Sequence, residues 1–248
     1  MSGHSKWHSI KHKKGAADQK RGQIFTKISN AISIAAKLGG GNPAMNPRLE
    51  LAIAKAKEVN MPKDRIDQAI KRGTGEIEGT KIESATYEAY GPFGIALIIE
   101  AITSNKNRLL SDLRRFLSEN GGKLASVGSV NYLFEQKGLI NINVTELDQT
   151  KKEELELAAI DNGALDVNET NNTIEVYTNP RELNQVKTKL EAAGFKIESM
   201  ELIMDPKTTV PITDKIKAQQ VIDFIGKLEE LEDVDKVHSN FEIGEELI

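Results

Sequence analysis

The chain contains no cysteine and few aromatic residues, and both shortages limit what it can be. With no cysteine among 248 residues, disulfides and thiolate metal sites are excluded, which is typical of proteins from a reducing compartment. Aromatic residues make up 5% of the chain, so its cores must be built mainly from Ile, Leu, Val and Ala. The longest apolar run, 95–99, is far shorter than the roughly 20 residues of a membrane-spanning helix.

Targeting and enzyme signatures are missing as well. The N-terminus is basic, but no apolar stretch follows within the first 22 residues, so neither a signal peptide nor a transit peptide is predicted. There is no Walker-type phosphate loop, no GxGxxG after a predicted strand and no GxSxG. The sequence therefore predicts a cytoplasmic protein that is not an enzyme and has no cofactor, small-molecule substrate or membrane partner.

The charge is distributed very unevenly. Residues 1–75 hold 15 Lys and Arg against 5 Asp and Glu, whereas the remainder holds 18 against 32. The overall net charge of −4 conceals this asymmetry. A polycationic first third attached to an acidic body indicates that the first third meets a polyanion, which the rest of the chain would repel.

Helical periodicity marks the first third. Apolar residues at 24, 28, 32 and 35 lie on one face of a helix over about 16–38. Asn46 and Pro47 are typical of an N-cap and a first helical residue, Pro62 opens a third helix, and Gly73 is expected to close it. Residues 1–75 are therefore predicted to form a basic domain of three helices, followed by a linker over 73–83.

The acidic remainder has a mixed α/β pattern. Residues 139–204 carry a complete βαββαβ series, the order of a ferredoxin-like domain. The segment 84–135, whose last predicted strand is 130–135, lacks elements that 208–248 could supply. The predicted fold is thus α+β and multidomain: the three-helix domain, a discontinuous middle α/β domain (84–135 with 208–248) and a ferredoxin-like domain (136–207) inserted into it.

The basic opening segment is the main candidate for a binding site. Lysines supply phosphate contacts, and an aromatic among them can stack on an unpaired base. The alternative is a solvated tail whose tryptophan packs into the helical core. His4, His8 and His12 have a helical spacing, but no acidic or Cys ligand lies among them, so a metal site is not predicted. The predicted nucleic-acid-binding residues of this segment are Lys6, Trp7, Lys11, His12, Lys13 and Lys14.

Two further candidates lie at helix starts. Lys20 and Arg21 fall in the first turns of the first helix, where an anion could bind, or where they could simply be solvated. Lys106 and Arg108 follow Thr103-Ser104-Asn105 at a strand-to-helix junction. Cations are unfavourable at a helix start, so a phosphate partner is one interpretation and plain capping is the other. His238, alone near the C-terminus, is expected at the surface.

Four segments in the same order closely resemble the YebC family: 2–27, 102–108, 120–138 and 234–243. The resemblance spans essentially the full length and implies three domains, an N-terminal helical bundle and two α/β domains of which the middle one is discontinuous. It also implies that RNA or DNA is met by the segment that contains Lys6, Trp7, Lys11, Lys13, Lys14, Lys20 and Arg21.

The resemblance leaves two functions open. Many family members are described as transcriptional regulators that bind DNA, and others act in translation, including the mitochondrial translational activator of cytochrome oxidase. Some bacterial relatives relieve ribosomes stalled on proline-rich stretches. A ribosome-associated translation factor that contacts rRNA or tRNA is the main hypothesis, because no base-reading helix is evident in the sequence. A regulator bound to promoter DNA is the alternative.

Overall fold

The computed structural model describes residues 18–78, 81–170 and 172–244, with backbone only for 18–21. The chain divides into two compact units. One comprises residues 134–205, and the other comprises the described residues before 134 together with those after 205. Over the described ranges, no helix is long and apolar enough to cross a membrane.

The described part of the larger unit begins with three α-helices: α1 (Asp18–Gly39), α2 (Pro47–Glu58) and α3 (Lys63–Thr74). The predicted N-cap of α2 is confirmed, since the Asn46 side chain accepts a hydrogen bond from the Leu49 amide. The same side chain is buried and donates through Nδ2 to the carbonyls of Ala35 and Gly40, both at 2.8 Å. Asn46 therefore joins the end of α1 to the start of α2.

The core of these helices is aliphatic, as the low aromatic content predicts. It contains Ile32 and Leu49 at 0% exposure, with small residues between them. The expectation that Gly73 ends the third helix is wrong, because α3 continues to Thr74 and the left-handed capping residue is Gly75. Gly73 instead lies where α3 approaches α1, and a Cβ there would be 2.3 Å from the Ser33 carbonyl oxygen.

The first sheet of this unit has four antiparallel strands in the order β3-β1-β2-β9: β1 (Glu83–Tyr90), β2 (Ala96–Thr103), β3 (Lys123–Leu124) and β9 (Val234–Ser239). Its helices are α4 (Lys106–Glu119) and α7 (Lys215–Glu229). Both bury aliphatic faces against β2 and β9 in one core, with Phe241 the largest fully buried side chain. The C-terminal segment thus returns to the sheet begun by β1 and β2.

A two-stranded parallel sheet completes the larger unit. It pairs β8 (Val210–Ile212) with β10 (Phe241–Ile243). Asn240, between β9 and β10, is buried, and its Oδ1 accepts a hydrogen bond of 2.7 Å from the Ala96 amide. The sequence did not predict these two strands.

The smaller unit contains β4 (Phe134–Asn143), α5 (Gln149–Asp161), β5 (Ala164–Thr170), β6 (Thr173–Thr178), α6 (Leu183–Ala192) and β7 (Ile197–Pro206). Its sheet order, β5-β6-β4-β7, is that of a ferredoxin-like βαββαβ fold. The separate strand predicted over 130–135 is wrong: residues 131–133 form a 3-10 turn, and β4 is one continuous strand.

The predicted fold class, α+β with an N-terminal three-helix region and α/β sheets, is confirmed. The helical region and the first sheet share one compact unit, and residues 134–205 form the other. The finer division into three domains stays a prediction.

Candidate nucleic-acid interface

The predicted interface falls mostly on residues that the structure does not describe. Lys6, Trp7, Lys11, His12, Lys13 and Lys14 lie outside the described residues, as do His4 and His8. Lys20 and Arg21 lie in the first turn of α1, but their side chains are outside the described part. The assignment of these residues to nucleic-acid binding therefore stays a prediction.

The described helices carry a further basic surface that the sequence analysis counted as charge but did not assign to the site. We define the helical basic surface as the exposed residues Lys57 on α2 and Lys63, Arg65 and Lys71 on α3. Among the residues whose side chains the structure describes, none forms an ion pair with any of these four cations. On α3, helical periodicity could have placed Lys71 opposite the buried residues Ile66 and Ala69, and Lys63 and Arg65 at the edges of the buried face.

One of these cations is oriented by an aromatic ring. The Arg65 guanidinium carbon lies 5.8 Å from the centroid of the Phe25 ring, a cation–π contact that connects α3 to α1. Gln68, one turn further along α3, is exposed too. Asp64 also lies on this exposed face, so the density of positive charge is lower here than in residues 6–21, which hold six Lys and Arg and one acid.

The third candidate, at the start of α4, is an N-capped helix with paired cations. Asn105 Oδ1 accepts from the Arg108 amide at 3.1 Å, so the capping interpretation is confirmed. Lys106 Nζ lies 2.9 Å from Glu83 Oε2, and Arg108 Nη2 donates to Asp233 Oδ2 at 2.7 Å.

These ion pairs also shift the pKa values of the groups that form them. The hydrogen bond and the charge of Lys106 hold the pKa of Glu83 below its ordinary value. The hydrogen bond to Asp233 and the charge of that carboxylate raise the pKa of Arg108. A phosphate that binds Lys106 or Arg108 would have to displace the carboxylate paired with that residue. Their role in nucleic-acid binding therefore stays a prediction.

The helical region contacts the first sheet through a charged cluster. Lys27 of α1 donates to the carbonyls of Glu229 and Val234, at 2.5 and 2.7 Å. The expectation that His238 lies at the surface is wrong: it is 1% exposed on β9, and its Nε2 lies 3.3 Å from Glu100 Oε1 on β2. His238 pairs with Ile98 of β2, and the two hydrogen bonds of Lys27 show that one lysine of the first third stabilises the fold rather than facing solvent.

The pKa values of two carboxylates in this part of the sheet, Glu100 and Asp235, are shifted in opposite directions. Burial raises the pKa of Glu100, but the adjacent His238 and the charges of Lys236 and Arg48 more than offset it, so the net shift is downward. Burial raises the pKa of Asp235, and the charges of Lys236 and Lys55 offset that only in part. No group of three or more His, Asp or Glu side chains in the described part of the chain is placed to hold a metal ion.

The structure defines a class of protein in which a basic helical region is joined to an acidic α+β body. Comparison with known proteins gives the family. The chain belongs to the TACO1/YebC family. The model of the TACO1/YebC N-terminal domain matches residues 5–76, and the model of the TACO1/YebC second and third domain matches residues 82–241. The resemblance drawn from the four sequence segments is confirmed.

Relatives match over nearly their whole length. A probable transcriptional regulatory protein of Halothermothrix orenii is 45% identical over 100% of this chain and 98% of its own. Another, of Trichlorobacter lovleyi, is 49% identical over 98% and 97%. The crystal structure of a conserved hypothetical protein of Aquifex aeolicus, Aq1575, superposes with a TM-score of 0.84 at 44% identity, covering 95% of this chain and 96% of that one. The relatives' names support a regulatory role rather than an enzymatic one.

Proposed function

We propose that the protein is a nucleic-acid-binding regulator whose basic N-terminal region docks on RNA phosphates of the ribosome and so acts in translation. The charge distribution carries this proposal, since 15 Lys and Arg face only 5 acids within residues 1–75. Each lysine that neutralises a phosphate releases counterions, which gives binding energy without any sequence reading. The acidic remainder is repelled by the same phosphates, so the protein binds in one orientation.

The residues that carry the contact are Lys6, Lys11, Lys13 and Lys14, followed along the chain by Lys20 and Arg21. The helical basic surface of α2 and α3 supplies four further cations. Its four cations are long, flexible side chains that suit phosphates, and Gln68 is the one exposed amide of α3. Recognition by phosphates and shape is typical of proteins that bind structured RNA.

The second candidate is a DNA-binding transcriptional regulator. It is favoured by the relatives, which are named as probable transcriptional regulatory proteins. It also fits the outer face of α3, where Arg65 and Gln68 are exposed one turn apart. Arg pairs with guanine and Gln with adenine in the major groove, so such a face could read bases.

Sedimentation of cell extracts tests the ribosomal target. We expect the wild-type protein in ribosomal fractions and the variant Lys11→Glu/Lys13→Glu/Lys14→Glu in the free fraction, because the variant changes the local charge by about six units. The matched control, Lys151→Glu/Lys189→Glu/Lys196→Glu, changes the net charge equally at exposed lysines of the 134–205 unit. A wild-type protein absent from ribosomal fractions would contradict the hypothesis that it acts in translation on the ribosome.

Competition separates the two candidates. The protein is bound to labelled ribosomal RNA at about 0.15 M salt and challenged with an excess of unlabelled promoter DNA or unlabelled RNA. A specific DNA binder typically prefers its site over other sequences by about 10³-fold or more under these conditions. Displacement by one promoter at low concentration would favour the DNA regulator, whereas displacement by RNA alone supports the translation factor.

A further inference from the structure

One aromatic residue of the larger unit has an unfavourable backbone. Phe93, in the turn between β1 and β2, has φ 61° and ψ 17°, which is the left-handed region. In that region the Cβ of a bulky residue crowds its own backbone, so glycine or asparagine is the usual occupant. The ring does not compensate by deep burial, since Phe93 is 43% exposed.

The turn is fixed from both ends. Gly91 is buried, its amide donates to the Ile95 carbonyl at 2.8 Å, and a Cβ on it would lie 2.8 Å from Ile95 Cγ1. Ile95 is fully buried, and its amide donates back to the Pro92 carbonyl at 3.4 Å. Residue 93 must therefore be left-handed whatever its side chain, and a phenylalanine here costs stability that an asparagine would spare.

Positive charge lies beside the exposed ring. Lys217, in the first turn of α7, places Nζ 5.5 Å from the Phe93 ring centroid. Gly121 approaches the turn from the loop before β3, because a Cβ on it would lie 4.0 Å from Pro92 Cβ. The segments 90–94, 121–130 and 215–218 together hold three lysines, at 123, 215 and 217, and no Asp or Glu. Asp214, the acidic residue directly before Lys215, caps α7 by accepting a hydrogen bond from the Lys217 amide.

We propose that Phe93 stacks on an unpaired base of the RNA target while Lys217 and Lys123 contact the adjacent phosphates. This second contact lies in the α/β part of the chain and rests on the proposed RNA-binding function. Every base offers a face for stacking, and a lysine beside the ring supplies the charge that the backbone of the same strand requires. The stacked contact gives the protein a preference for single-stranded or looped RNA that the basic N-terminal region does not give.

Charge favours RNA over an apolar protein surface as the occupant. Three lysines with no acid among them would leave uncompensated charge against an apolar partner, whereas phosphates neutralise it. The ring, the adjacent lysines and the rigid turn together form a small platform rather than a broad apolar patch.

The test uses the full chain and a short single-stranded RNA that contains 2-aminopurine, whose fluorescence is quenched by stacking. Phe93→Asn keeps the left-handed turn without a ring, and we expect about tenfold weaker binding and loss of the quenching component. The same variant should raise Tm by about 2–4 °C, because the strain is relieved. A ring retained only for packing would give a lower Tm and unchanged binding.

Three further variants make the result decisive. Phe93→Tyr retains the ring and should bind as the wild type does, whereas Phe93→Leu keeps the strain and the apolar character but should lose the quenching. Leu157→Asn is the control, since Leu157 is 62% exposed in the other unit and should leave binding unchanged. Full binding by the Leu or Asn variant would overturn the stacking contact alone, while a wild-type protein that binds no RNA would overturn both this inference and the proposed function.

Discussion

Glu88 holds the loop after β3 through three short hydrogen bonds, and its replacement by glutamine should loosen that loop. Glu88 is 8% exposed on β1. Oε1 accepts from the Gly128 amide at 2.6 Å, and Oε2 accepts from Val130 and Asn131 at 2.6 and 2.9 Å. A glutamine has one oxygen, so it can keep the two bonds made by Oε2 but must turn its NH2 group toward the Gly128 amide.

The magnitude follows from the lost bond and the lost charge. A hydrogen bond to a charged group contributes about 1.5–3 kcal/mol, and Glu88→Gln removes one such bond and weakens two. We expect the free energy of unfolding to fall by about 2–3 kcal/mol at pH 7 with an unchanged m-value. Glu119→Gln, at an exposed position on α4, is the control and should change it by less than about 0.5 kcal/mol.

The effect should depend on pH in a defined direction. Burial raises the pKa of Glu88, but the three amide donors more than offset this, so its pKa in the folded protein lies below the ordinary 4.5. The stabilisation is therefore complete above pH 4.5 and is lost as the pH falls through the folded-state pKa. The difference between wild type and Glu88→Gln should shrink over that range. It would contradict this account if the amide of Gly128, whose hydrogen bond the glutamine cannot make, exchanged with solvent at the same rate in both proteins at pH 7.

Four other substitutions test the helical region. Gly73→Ala should lower the free energy of unfolding by about 2 kcal/mol or more, because its Cβ meets the Ser33 carbonyl at 2.3 Å, while Gly22→Ala, with nothing within 4 Å, should raise it by about 1 kcal/mol; equal effects in urea unfolding would contradict the packing. Asn46→Ala should cost about 2–3 kcal/mol in the same assay, since it leaves buried carbonyls and an amide without partners. Lys27→Met should speed amide exchange at the end of α7, and unchanged exchange would show that its two hydrogen bonds are dispensable.

Local sequence signals predicted the helices well. A 3.6-residue repeat of aliphatic residues gave α1, α2 and α4 to within a few residues, and Asn46-Pro47 gave the start of α2. The βαββαβ pattern predicted the ferredoxin-like sheet of the smaller unit. These features depend on neighbours within one element, which a single sequence displays directly.

Features set by distant residues could not be predicted in the same way. Gly73 has the local signal of a helix end, but its role depends on the close approach of α1. His238 is buried in a sheet whose other strands come from residues 83–124, more than 100 residues before it. β8 and β10 are three residues each, too short for a periodic signal, and they are identified only by pairing with one another.

The candidate site divides along the same line. The charge asymmetry that motivates it is a property of composition and is fully visible in the sequence. Arg108 pairs with Asp233, which is 125 residues away in the sequence. That Arg108 is already paired with a carboxylate could therefore not be inferred from the helix start alone. An exposed α3 residue such as Lys71 could have been assigned from periodicity, because its spacing places it opposite the buried residues Ile66 and Ala69.

The salt dependence of RNA binding tests the central claim most directly. Affinity is measured between about 0.05 and 0.2 M salt for the wild type and for Lys11→Glu/Lys13→Glu/Lys14→Glu. If these lysines neutralise phosphates, the slope of log affinity against log salt should be shallower in the variant by about 2, at about 0.7 per lost contact on a single strand, and affinity should fall at every salt concentration. Identical slopes and affinities for the two proteins would show that the basic N-terminal segment is not where nucleic acid binds.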